Sequence, residues 1–415
     1  MQNTIMADNL PEVLVLLQHL IRTESTNPGT GEASVAELAA DYMAGCGVQI
    51  RWQPVVVPEK PVGGMHPRCN LIMTLPAEES SEHTNRSTAL VLSAHMDTVV
   101  VGDGWSRDPF GAEFEEESGR IYGRGACDMK AGLACALVAL RRAAERRAAG
   151  DVLRRELRLV LTVDEEGDMR GAEALVSDGF VGRHDHVLDL EPTDSTLQMA
   201  HKGRLWLAVT AGGITAHASR PELGADAVAA AAACIMALRS FVKRQPMHEV
   251  LGPTTITFGR IDGGYQPYVV PDLCRFWVDM RLAPPLTEQD VLRAFHEIKK
   301  EIEIDMPGIR LTAQVTGSRP YIEESLESPL LKSLLDAAET VTGQRPAIEP
   351  FPGYTDTAVF AGLTGNRNCM SYGPGSLAQA HKPDEYVPAD EVLRCLKVLE
   401  VLIDRTVFGN TATSR

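Results

Sequence analysis

A histidine and an aspartate follow an apolar stretch in the first quarter of the chain. Residues 90–94 read Leu-Val-Leu-Ser-Ala, and His95, Met96 and Asp97 come directly after them. The stretch predicts a buried strand, and ligands of open α/β sheets bind beyond the carboxyl ends of strands. An imidazole at this point suits a divalent transition metal, and a carboxylate two residues later can hold the orientation of that ring. A histidine that only satisfies a polar group near the core is the alternative interpretation.

More carboxylates and a second histidine occupy similar positions elsewhere. Strands predicted at 156–163 and 187–190 run into acidic residues, and a glycine-rich stretch at 123–132 carries another. The complete set is His95, Asp97, Asp128, Glu165, Glu166, Glu191 and His381. Three successive predicted strands therefore end in side chains of the metal-ligand type. A general need for solubility does not explain that repetition.

The chemistry of this set is that of a paired metal site. Histidines and carboxylates suit Zn²⁺, Co²⁺ or Mn²⁺, and two ions about 3.5–4 Å apart need a carboxylate with an oxygen on each. Such ions polarise a carbonyl and lower the pKa of bound water from 15.7 toward ~7. One further carboxylate must stay off the ions and act as a base. Glu165 and Glu166 could divide these roles, whereas the pair taken alone would be interpreted as a solvated loop.

The elements that must position these residues alternate between strand and helix. Strands are predicted at 48–57, 70–75, 90–95, 156–163 and 187–190, and helices at 11–23, 33–45 and 133–149. This alternation is typical of a doubly wound, mostly parallel sheet of the α/β class. The same pattern resumes after residue 316, with helices at 326–342 and 389–407 and a strand at 368–372.

The pattern changes in the middle of the chain. Strands predicted at 205–211, 254–261, 272–282 and 309–315, with helices at 224–242 and 288–304, follow the order β-α-β-β-α-β. This order is that of a ferredoxin-like unit. We therefore expect an α/β domain of residues 1–200 and 316–415, interrupted by an inserted ferredoxin-like domain of residues 201–315.

Composition argues against several classes of function. The net charge of −16 makes nucleic acid and anionic membranes poor partners. The eight cysteines form no Cys-x-x-Cys motif, so we expect neither a structural zinc cluster nor a disulfide framework. No uncharged apolar stretch is long enough to span a bilayer, and residues 1–9 lack the pattern of a signal peptide. These features lead us to expect a cytoplasmic protein.

Taken in chain order, the motifs resemble the M20 family of dinuclear-metal amidohydrolases and peptidases. This family includes aminoacylases, acetylornithine deacetylases and succinyl-diaminopimelate desuccinylases. The matching segments are His95-Met96-Asp97 for the His-x-Asp motif, residues 123–130 for Gly-x-Gly-x-x-Asp-x-Lys, Asp164-Glu165-Glu166, Glu191-Pro192-Thr193 and Ala380-His381-Lys382. The match spans nearly the whole chain, which makes it strong although each motif is short.

The resemblance implies a role for each of these residues. It assigns the metal ligands as His95 and Glu191 for one ion, Glu166 and His381 for the other, and Asp128 as the bridge between them. Glu165 would be the general acid and base, and Asp97 would orient His95. Two divalent ions are implied, with Zn²⁺ as the expected metal and Co²⁺ or Mn²⁺ as alternatives.

The resemblance implies that residues 1–200 and 316–415 form a catalytic dinuclear-metal domain and that residues 201–315 form a lid and dimerisation domain. Residues of this middle domain also resemble functional residues of the family. His217 matches a lid histidine that stabilises the oxyanion, in family members often across a dimer. Arg281 resembles an arginine that grips the substrate carboxylate, although a surface arginine at a strand end is the alternative. Gly375 belongs to a loop that resembles the lining of the family's pocket. Tyr268 stands where the family usually has asparagine, so the lid's substrate contacts stay open.

The implied reaction is hydrolysis of the amide bond of an N-acyl amino acid with a free carboxylate. Metal-held hydroxide would attack, and Glu165 would move the proton to the leaving nitrogen. Asp-Met-Lys at 128–130 favours the deacylase branch, and a homodimer through the lid is expected. A dipeptidase or glutamate-releasing carboxypeptidase of the same family is the alternative. A catalytically inactive binding protein is a further one, against which the intact acid and ligand set argues.

Overall fold

The computed structural model describes residues 10–56, 68–78 and 88–409. These residues divide into two compact units. The second unit consists of Ala200–Glu323 and Pro352–Tyr354, and the first unit contains the remaining described residues. Residues 1–9, where the sequence lacks a signal-peptide pattern, lie outside the described part of the chain.

The helices and strands are numbered here in chain order. The α-helices are α1 (Glu12–Arg22), α2 (Glu32–Tyr42), α3 (Ala131–Ala148), α4 (Arg170–Ser177), α5 (Ala227–Lys243), α6 (Glu288–Asp305), α7 (Pro329–Thr342), α8 (Asp356–Thr364) and α9 (Ala389–Thr406). The strands are β1 (Gln49–Val55), β2 (Arg68–Leu75), β3 (Leu90–His95), β4 (Glu113–Glu115), β5 (Arg120–Tyr122), β6 (Leu157–Thr162), β7 (His186–Asp189), β8 (Leu197–His201), β9 (Gly203–Gly212), β10 (Ala216–His217), β11 (Thr255–Gly263), β12 (Val269–Val270), β13 (Leu273–Leu282), β14 (Arg310–Arg319), β15 (Ile348–Phe351), β16 (Cys369–Ser371) and β17 (Tyr386–Pro388).

A large sheet with a parallel centre organises the first unit. Its strand order is β1-β2-β6-β3-β7-β16-β8-β15. The central strands β6, β3, β7 and β16 run parallel to one another, whereas β1, β2 and β8 pair in the antiparallel sense. This arrangement confirms the predicted α/β class. It also brings the carboxyl ends of β6, β3 and β7 to one edge of the sheet.

Helices cover both faces of this sheet, as a doubly wound fold requires. Leu159 and Leu161 of β6 lie two residues apart and are both buried in the main core with apolar residues of α1, α3, α7 and α9. The intervening side chains point to the other face, where Thr162 donates a hydrogen bond of 2.6 Å to Asp356 at the start of α8. Burial of each such leucine stabilises the fold by about 1.5–3 kcal/mol.

The second unit has the predicted ferredoxin-like order. Its sheet is β11-β13-β9-β14, and the pairs are all antiparallel. Apolar residues of α5 and α6 pack on one face of the sheet. Asp226 accepts hydrogen bonds from the backbone N–H groups of Val228 and Ala229 and so caps α5. β14 runs on to Arg319, beyond the end at 315 that the sequence pattern predicts.

Several short elements are absent from the sequence-based interpretation. The stretch 100–122, where the sequence pattern predicts no strand, contains β4 and β5, which form a three-stranded sheet with β17. Each of these strands has only three residues, too few to show an alternating pattern. Within the described ranges, no helix has both the length and the apolar character needed to cross a bilayer.

Candidate metal centre and active site

Three neighbouring parallel strands carry ligand-type side chains to the same edge of the large sheet. His95 is the last residue of β3, Glu165 and Glu166 lie in the turn after β6, and Glu191 follows β7. Because these strands are adjacent, in the order β6-β3-β7, their carboxyl ends meet. This edge is where open α/β sheets bind their ligands.

Asp128 lies between the two histidines of the set. It belongs to a five-residue π-type turn, Ala126–Lys130, that precedes α3, and its φ of −115° and ψ of 97° are not helical. The peptide bond that joins it to Met129 is cis. Its Oδ1 atom lies 3.0 Å from His95 Nε2, and its Oδ2 atom lies 3.3 Å from His381 Nε2. One carboxylate thus faces both imidazoles.

The remaining ligand-type groups sort around these two imidazoles. His381, in a left-handed conformation with φ of 63°, places Nε2 at 3.1 Å from Glu166 Oε1. His95 Nε2 lies 3.8 Å from Glu191 Oε1 and 4.0 Å from Glu165 Oε2. His95 is buried, whereas the side chain of His381 is 52% exposed. The cluster is therefore open to substrate on the His381 side.

The donor chemistry and spacing fit divalent cations. Donors at about 2.0–2.1 Å from a tetrahedral ion lie roughly 3.3 Å apart, and the separations above span 3.0–4.0 Å. Ligand atoms of His95, Asp128 and Glu166, and again of His95, Glu165 and Glu191, lie within 4.8 Å of one another. Geometry alone therefore groups Glu165 with the ligand-type residues as well.

The ionisation of the cluster reflects its burial and the contacts among its charged groups. Burial opposes charge on Asp128, but hydrogen bonds from His381 and His95 outweigh it and hold the pKa of Asp128 well below its usual range. The same contacts to Asp128 and Glu166 raise the pKa of His381 to about 10. Burial raises the pKa of Glu165 and of Glu191 well above the ordinary value. Concentrated negative charge in a buried site is what a bound cation would relieve.

Asp97 contacts His95 differently from the sequence-based expectation. The Nδ1 atom of His95 lies 2.9 Å from the backbone carbonyl oxygen of Asp97 and 3.6 Å from its carboxylate. The carboxylate instead accepts hydrogen bonds from the backbone N–H groups of Glu165, at 3.2 Å, and Glu166, at 3.1 Å. It also accepts one from Asn27 Nδ2 at 2.7 Å. The side chain of Asp97 therefore fixes the turn that carries the two glutamates.

Two residues next to this cluster were not identified from the sequence. Asn27 links Asp97 to Asp164, with Nδ2 at 3.3 Å from Asp164 Oδ1. Glu385 accepts hydrogen bonds from the backbone that leads to Asp128. Neither has a local signal in a single sequence, because their partners are far away along the chain. The one available hint for Glu385 is its position in the same short loop as His381.

The predicted oxyanion and substrate residues of the middle domain lie in the second unit. His217, in β10, is exposed, and its Nδ1 atom accepts from the backbone N–H of Ser219 at 3.2 Å. Tyr268 is also exposed, and its carbonyl accepts from the N–H of Ala218, so it neighbours His217 on the β10–β12 ladder. Arg281 donates from Nε and Nη2 to the two carboxylate oxygens of Asp279, at 2.8 and 3.1 Å. Its guanidinium is thus partly engaged within β13.

Gly375 lies in the first unit with φ of 88°, a left-handed conformation that favours glycine. Its N–H donates to Glu391 Oε2 at 2.8 Å. A Cβ atom at this position would come within 2.6 Å of Cys127 Sγ. The glycine therefore allows its loop to pack directly against the residue that precedes Asp128.

Comparisons with known proteins agree with this architecture. Residues 91–405 match the profile of peptidase family M20/M25/M40. An acetylornithine deacetylase of Myxococcus xanthus is 31% identical over 320 residues, which cover 75% of this chain and 78% of the relative. A probable succinyl-diaminopimelate desuccinylase of Staphylococcus aureus is 28% identical over 349 residues, covering 77% of this chain and 84% of that protein.

Solved structures share the fold. Aminopeptidase PepT of Bacillus cereus superposes with a TM-score of 0.72 at 22% identity, covering 95% of this chain and 98% of that one. A dinuclear metal binding M20 peptidase of Bacillus subtilis gives a TM-score of 0.67 at 15% identity, covering 94% and 96% of the two chains. The profile spans most of the sequence, and the clustered histidines and carboxylates lie within the residues that it matches. The chain belongs to peptidase family M20/M25/M40 and is a metal-dependent hydrolase.

Proposed function

We propose that this enzyme hydrolyses the amide bond of an N-acyl amino acid, and that the first unit carries out the chemistry. The observation that carries the proposal is the position of Asp128, whose two oxygens face His95 at 3.0 Å and His381 at 3.3 Å. Glu165 lies beside this arrangement, with Oε2 at 4.0 Å from His95 Nε2. These are the parts of a paired metal site with a neighbouring acid and base.

In this proposal His95, Asp128 and Glu191 hold one cation, and Asp128, Glu166 and His381 hold the other. Mixed nitrogen and oxygen donors favour Zn²⁺, with Co²⁺ or Mn²⁺ as alternatives. When bound, a pair of such cations polarises the carbonyl and lowers the pKa of water.

Glu165 is proposed to move the proton. Its carboxylate is buried, and burial raises its pKa well above the ordinary value, which favours a group that takes a proton and later returns it. Its backbone N–H is held by the carboxylate of Asp97 at 3.2 Å, which restrains its position. It would accept the proton of the attacking water and pass it to the leaving nitrogen as the C–N bond breaks.

Residues of the second unit are proposed to bind the substrate and the oxyanion. Nδ1 of His217 lies 3.2 Å from the backbone nitrogen of Ser219 and 2.8 Å from its hydroxyl oxygen, and we propose that Nδ1 accepts from both and that Nε2 carries the proton. That N–H suits a developing oxyanion. The guanidinium of Arg281 has donors beyond the two that bind Asp279, and we propose that they bind the substrate carboxylate. Tyr268, beside His217, and the loop of Gly375 would contact the rest of the substrate.

The substrate class follows from the relatives together with the site. The relatives named above are a deacetylase and a desuccinylase, and both names describe removal of an acyl group. An amide next to a carboxylate presents one carbonyl to the metal centre and one anion to an arginine. This pairing supports an N-acyl amino acid over an uncharged amide.

We also propose that two copies associate through the second unit. The outer face of α5 is apolar and exposed, with Val228 at 37% and Met236 at 60%, and the alanines at 229, 232 and 233 are exposed beside them. β11, against which α5 packs, is an edge strand of its sheet. Ile261 on that strand is 53% exposed. An apolar helix face next to an unpaired strand edge is typical of a protein interface.

A cytoplasmic location is part of the same proposal. All eight cysteines are free thiols, and six of them are buried. Free thiols in this number suit a reducing compartment.

The proposal is tested by a hydrolysis screen with added Zn²⁺ or Co²⁺. N-acetyl, N-succinyl and N-formyl amino acids are compared with dipeptides and with γ-linked glutamate peptides. The purified Glu165→Gln variant serves as the inactive reference and Glu166→Gln as the metal-site control. We expect acyl amino acids to be cleaved fastest, and Glu165→Gln to lose about 10²–10⁴-fold in kcat with its metal retained. Faster cleavage of dipeptides would assign the enzyme to the peptidases of its family. Loss of a cation in Glu165→Gln would make Glu165 a ligand.

A further inference from the structure

A completely buried carboxylate outside the proposed ligand set holds the backbone that leads to Asp128. This residue is Glu385. Its Oε1 atom accepts hydrogen bonds from the backbone N–H groups of Cys127, at 2.8 Å, and of Asp128, at 3.0 Å. Its Oε2 atom accepts from the backbone N–H of Gly125, at 3.1 Å, and from Nη1 of Arg124, at 2.6 Å. One side chain therefore fixes the path of the loop that ends at Asp128.

Glu385 also ends the loop that contains His381. The next residue begins β17, which pairs with β5, and a hydrogen bond of 2.9 Å from the N–H of Gly123 to the carbonyl oxygen of Glu385 extends that ladder. Asp128 and His381 therefore lie on two loops that leave one ladder. The loops meet again where His381 Nε2 lies 3.3 Å from Asp128 Oδ2. Glu385 stands at the point from which both loops diverge.

The charge of Glu385 is compensated within the protein. A buried carboxylate is destabilising unless it is paired and hydrogen-bonded, and Arg124, itself buried, supplies the opposite charge. Without the carboxylate, the N–H groups of Gly125, Cys127 and Asp128 would lose their side-chain acceptor. A buried donor that loses its acceptor destabilises the folded loop. A fully bonded polar group of this type rigidifies the segment around it.

We propose that Glu385 is a positioning residue of the metal centre, which acts through Asp128 and His381 by fixing their separation before a cation binds. The inference rests on the proposed metal-binding roles of these two residues. Preorganised ligands bind a cation more tightly, because less ordering of the chain is needed at the moment of binding. Residues that support metal ligands in this way typically contribute roughly 10–100-fold to metal affinity or activity.

The test is a titration of the cation-free protein with Co²⁺, followed by its visible absorption and by calorimetry. Glu385→Gln keeps the size of the side chain, but an amide nitrogen cannot accept a hydrogen bond, so half of the acceptors are lost. We expect this variant to bind Co²⁺ about 10–100-fold more weakly than the wild type, with an altered absorption spectrum. In turnover, kcat should fall while KM stays close to the wild-type value.

A second variant and a matched control complete the design. Arg124→Met removes the ion pair but leaves the carboxylate with its three backbone donors. We expect this variant to be less stable than the wild type but folded, with a smaller loss of Co²⁺ affinity than Glu385→Gln. Asp384→Asn is the control, because this neighbouring carboxylate binds Ser106 and the backbone of Arg107 instead of the Asp128 loop. It should bind Co²⁺ as the wild type does.

Weaker Co²⁺ binding in Arg124→Met supports the proposal even where Glu385→Gln does not fold. Wild-type Co²⁺ affinity in Arg124→Met, or in a folded Glu385→Gln, overturns it. A wild-type protein that binds no Co²⁺ would contradict the proposed function instead, so the two failures are distinguishable.

Discussion

His95 is held by the backbone of Asp97 and not mainly by its side chain: Nδ1 lies 2.9 Å from the carbonyl oxygen and 3.6 Å from the carboxylate. The carboxylate is left to bind the N–H groups of Glu165 and Glu166. Two tasks are thus divided between the main chain and the side chain of one residue. The side chain of Asp97 therefore supports Glu165, the proposed base, and Glu166, a proposed metal ligand.

Replacement of Asp97 by alanine tests this division. The backbone carbonyl that orients His95 remains, whereas the Glu165–Glu166 turn loses its acceptor. We expect kcat to fall by about 10–100-fold, with the His95-side cation still bound, as measured by steady-state kinetics and metal analysis. Asn27→Ala removes only one donor to Asp97 and should have a smaller effect. If the variant loses the cation beside His95 but keeps the cation beside Glu166, the carboxylate of Asp97 mainly orients His95.

Stability of the cation-free protein should fall as pH rises. The folded-state pKa of His381 is raised to about 10, and burial raises that of Glu165 and of Glu191. Each group therefore binds more protons in the folded than in the unfolded state, and this contribution to stability is lost as pH rises through the folded pKa. For His381 the loss spans pH 6.5 to about 10.

The measurement is thermal unfolding between pH 6 and 10, with and without Zn²⁺. The cation replaces the protons as the partner of the carboxylates, so the zinc-bound protein should lose less stability over this range. Metal binding should also release protons, measured by calorimetry in buffers of different ionisation enthalpy. Equal slopes of stability against pH with and without zinc would argue against a shared site for protons and metal.

Arg281 is expected to act on substrate binding. Removal of a hydrogen bond to a charged group costs about 1.5–3 kcal/mol, so Arg281→Ala should raise KM for N-acyl amino acids by roughly 10–100-fold. A substrate whose carboxylate is amidated should be cleaved equally poorly by the wild type and by Arg281→Ala. If KM for the free acid is unchanged, Arg281 serves only to pair with Asp279 in β13.

If two copies associate through α5, a charge placed on the apolar face of this helix should lower the mass of the protein in solution. Met236 is 60% exposed on the apolar face of α5, and Met236→Glu would place a charge in the interface. Sedimentation should show a shift from about twice the chain mass of 45.0 kDa toward one copy. Ile304→Glu, at a residue of α6 that is 67% exposed, is the matched control and should stay dimeric. If the wild-type protein has the mass of a single chain, the proposed dimer is wrong.

The sequence predicts the parts of this molecule that depend on local patterns. Apolar runs locate β3 and β6, and their ends locate His95 and the Glu165–Glu166 turn. Leu159 and Leu161 share a face because the side chains of a strand alternate. The ferredoxin-like order of the second unit follows from its succession of elements. In each case the signal is a pattern of residue types along neighbouring stretches of the chain.

The remaining features depend on contacts between distant segments. Glu385 and Asn27 bind partners in other loops, and no spacing in one chain identifies such pairs. Strands β4, β5 and β17 are too short to show a period, and they are stabilised by pairing with one another. The contact of His95 with a carbonyl rather than a carboxylate is a matter of less than one ångström, since the two distances are 2.9 and 3.6 Å.

The paired metal site at Asp128 can be tested by anomalous diffraction from crystals grown with Zn²⁺. We expect one peak on each side of Asp128, the first beside His95 and Glu191 and the second beside Glu166 and His381. The carboxylate of Glu165 should lie outside the coordination distance of both peaks. An absence of zinc beside Asp128, or a single ion bound by Glu165, would contradict the account.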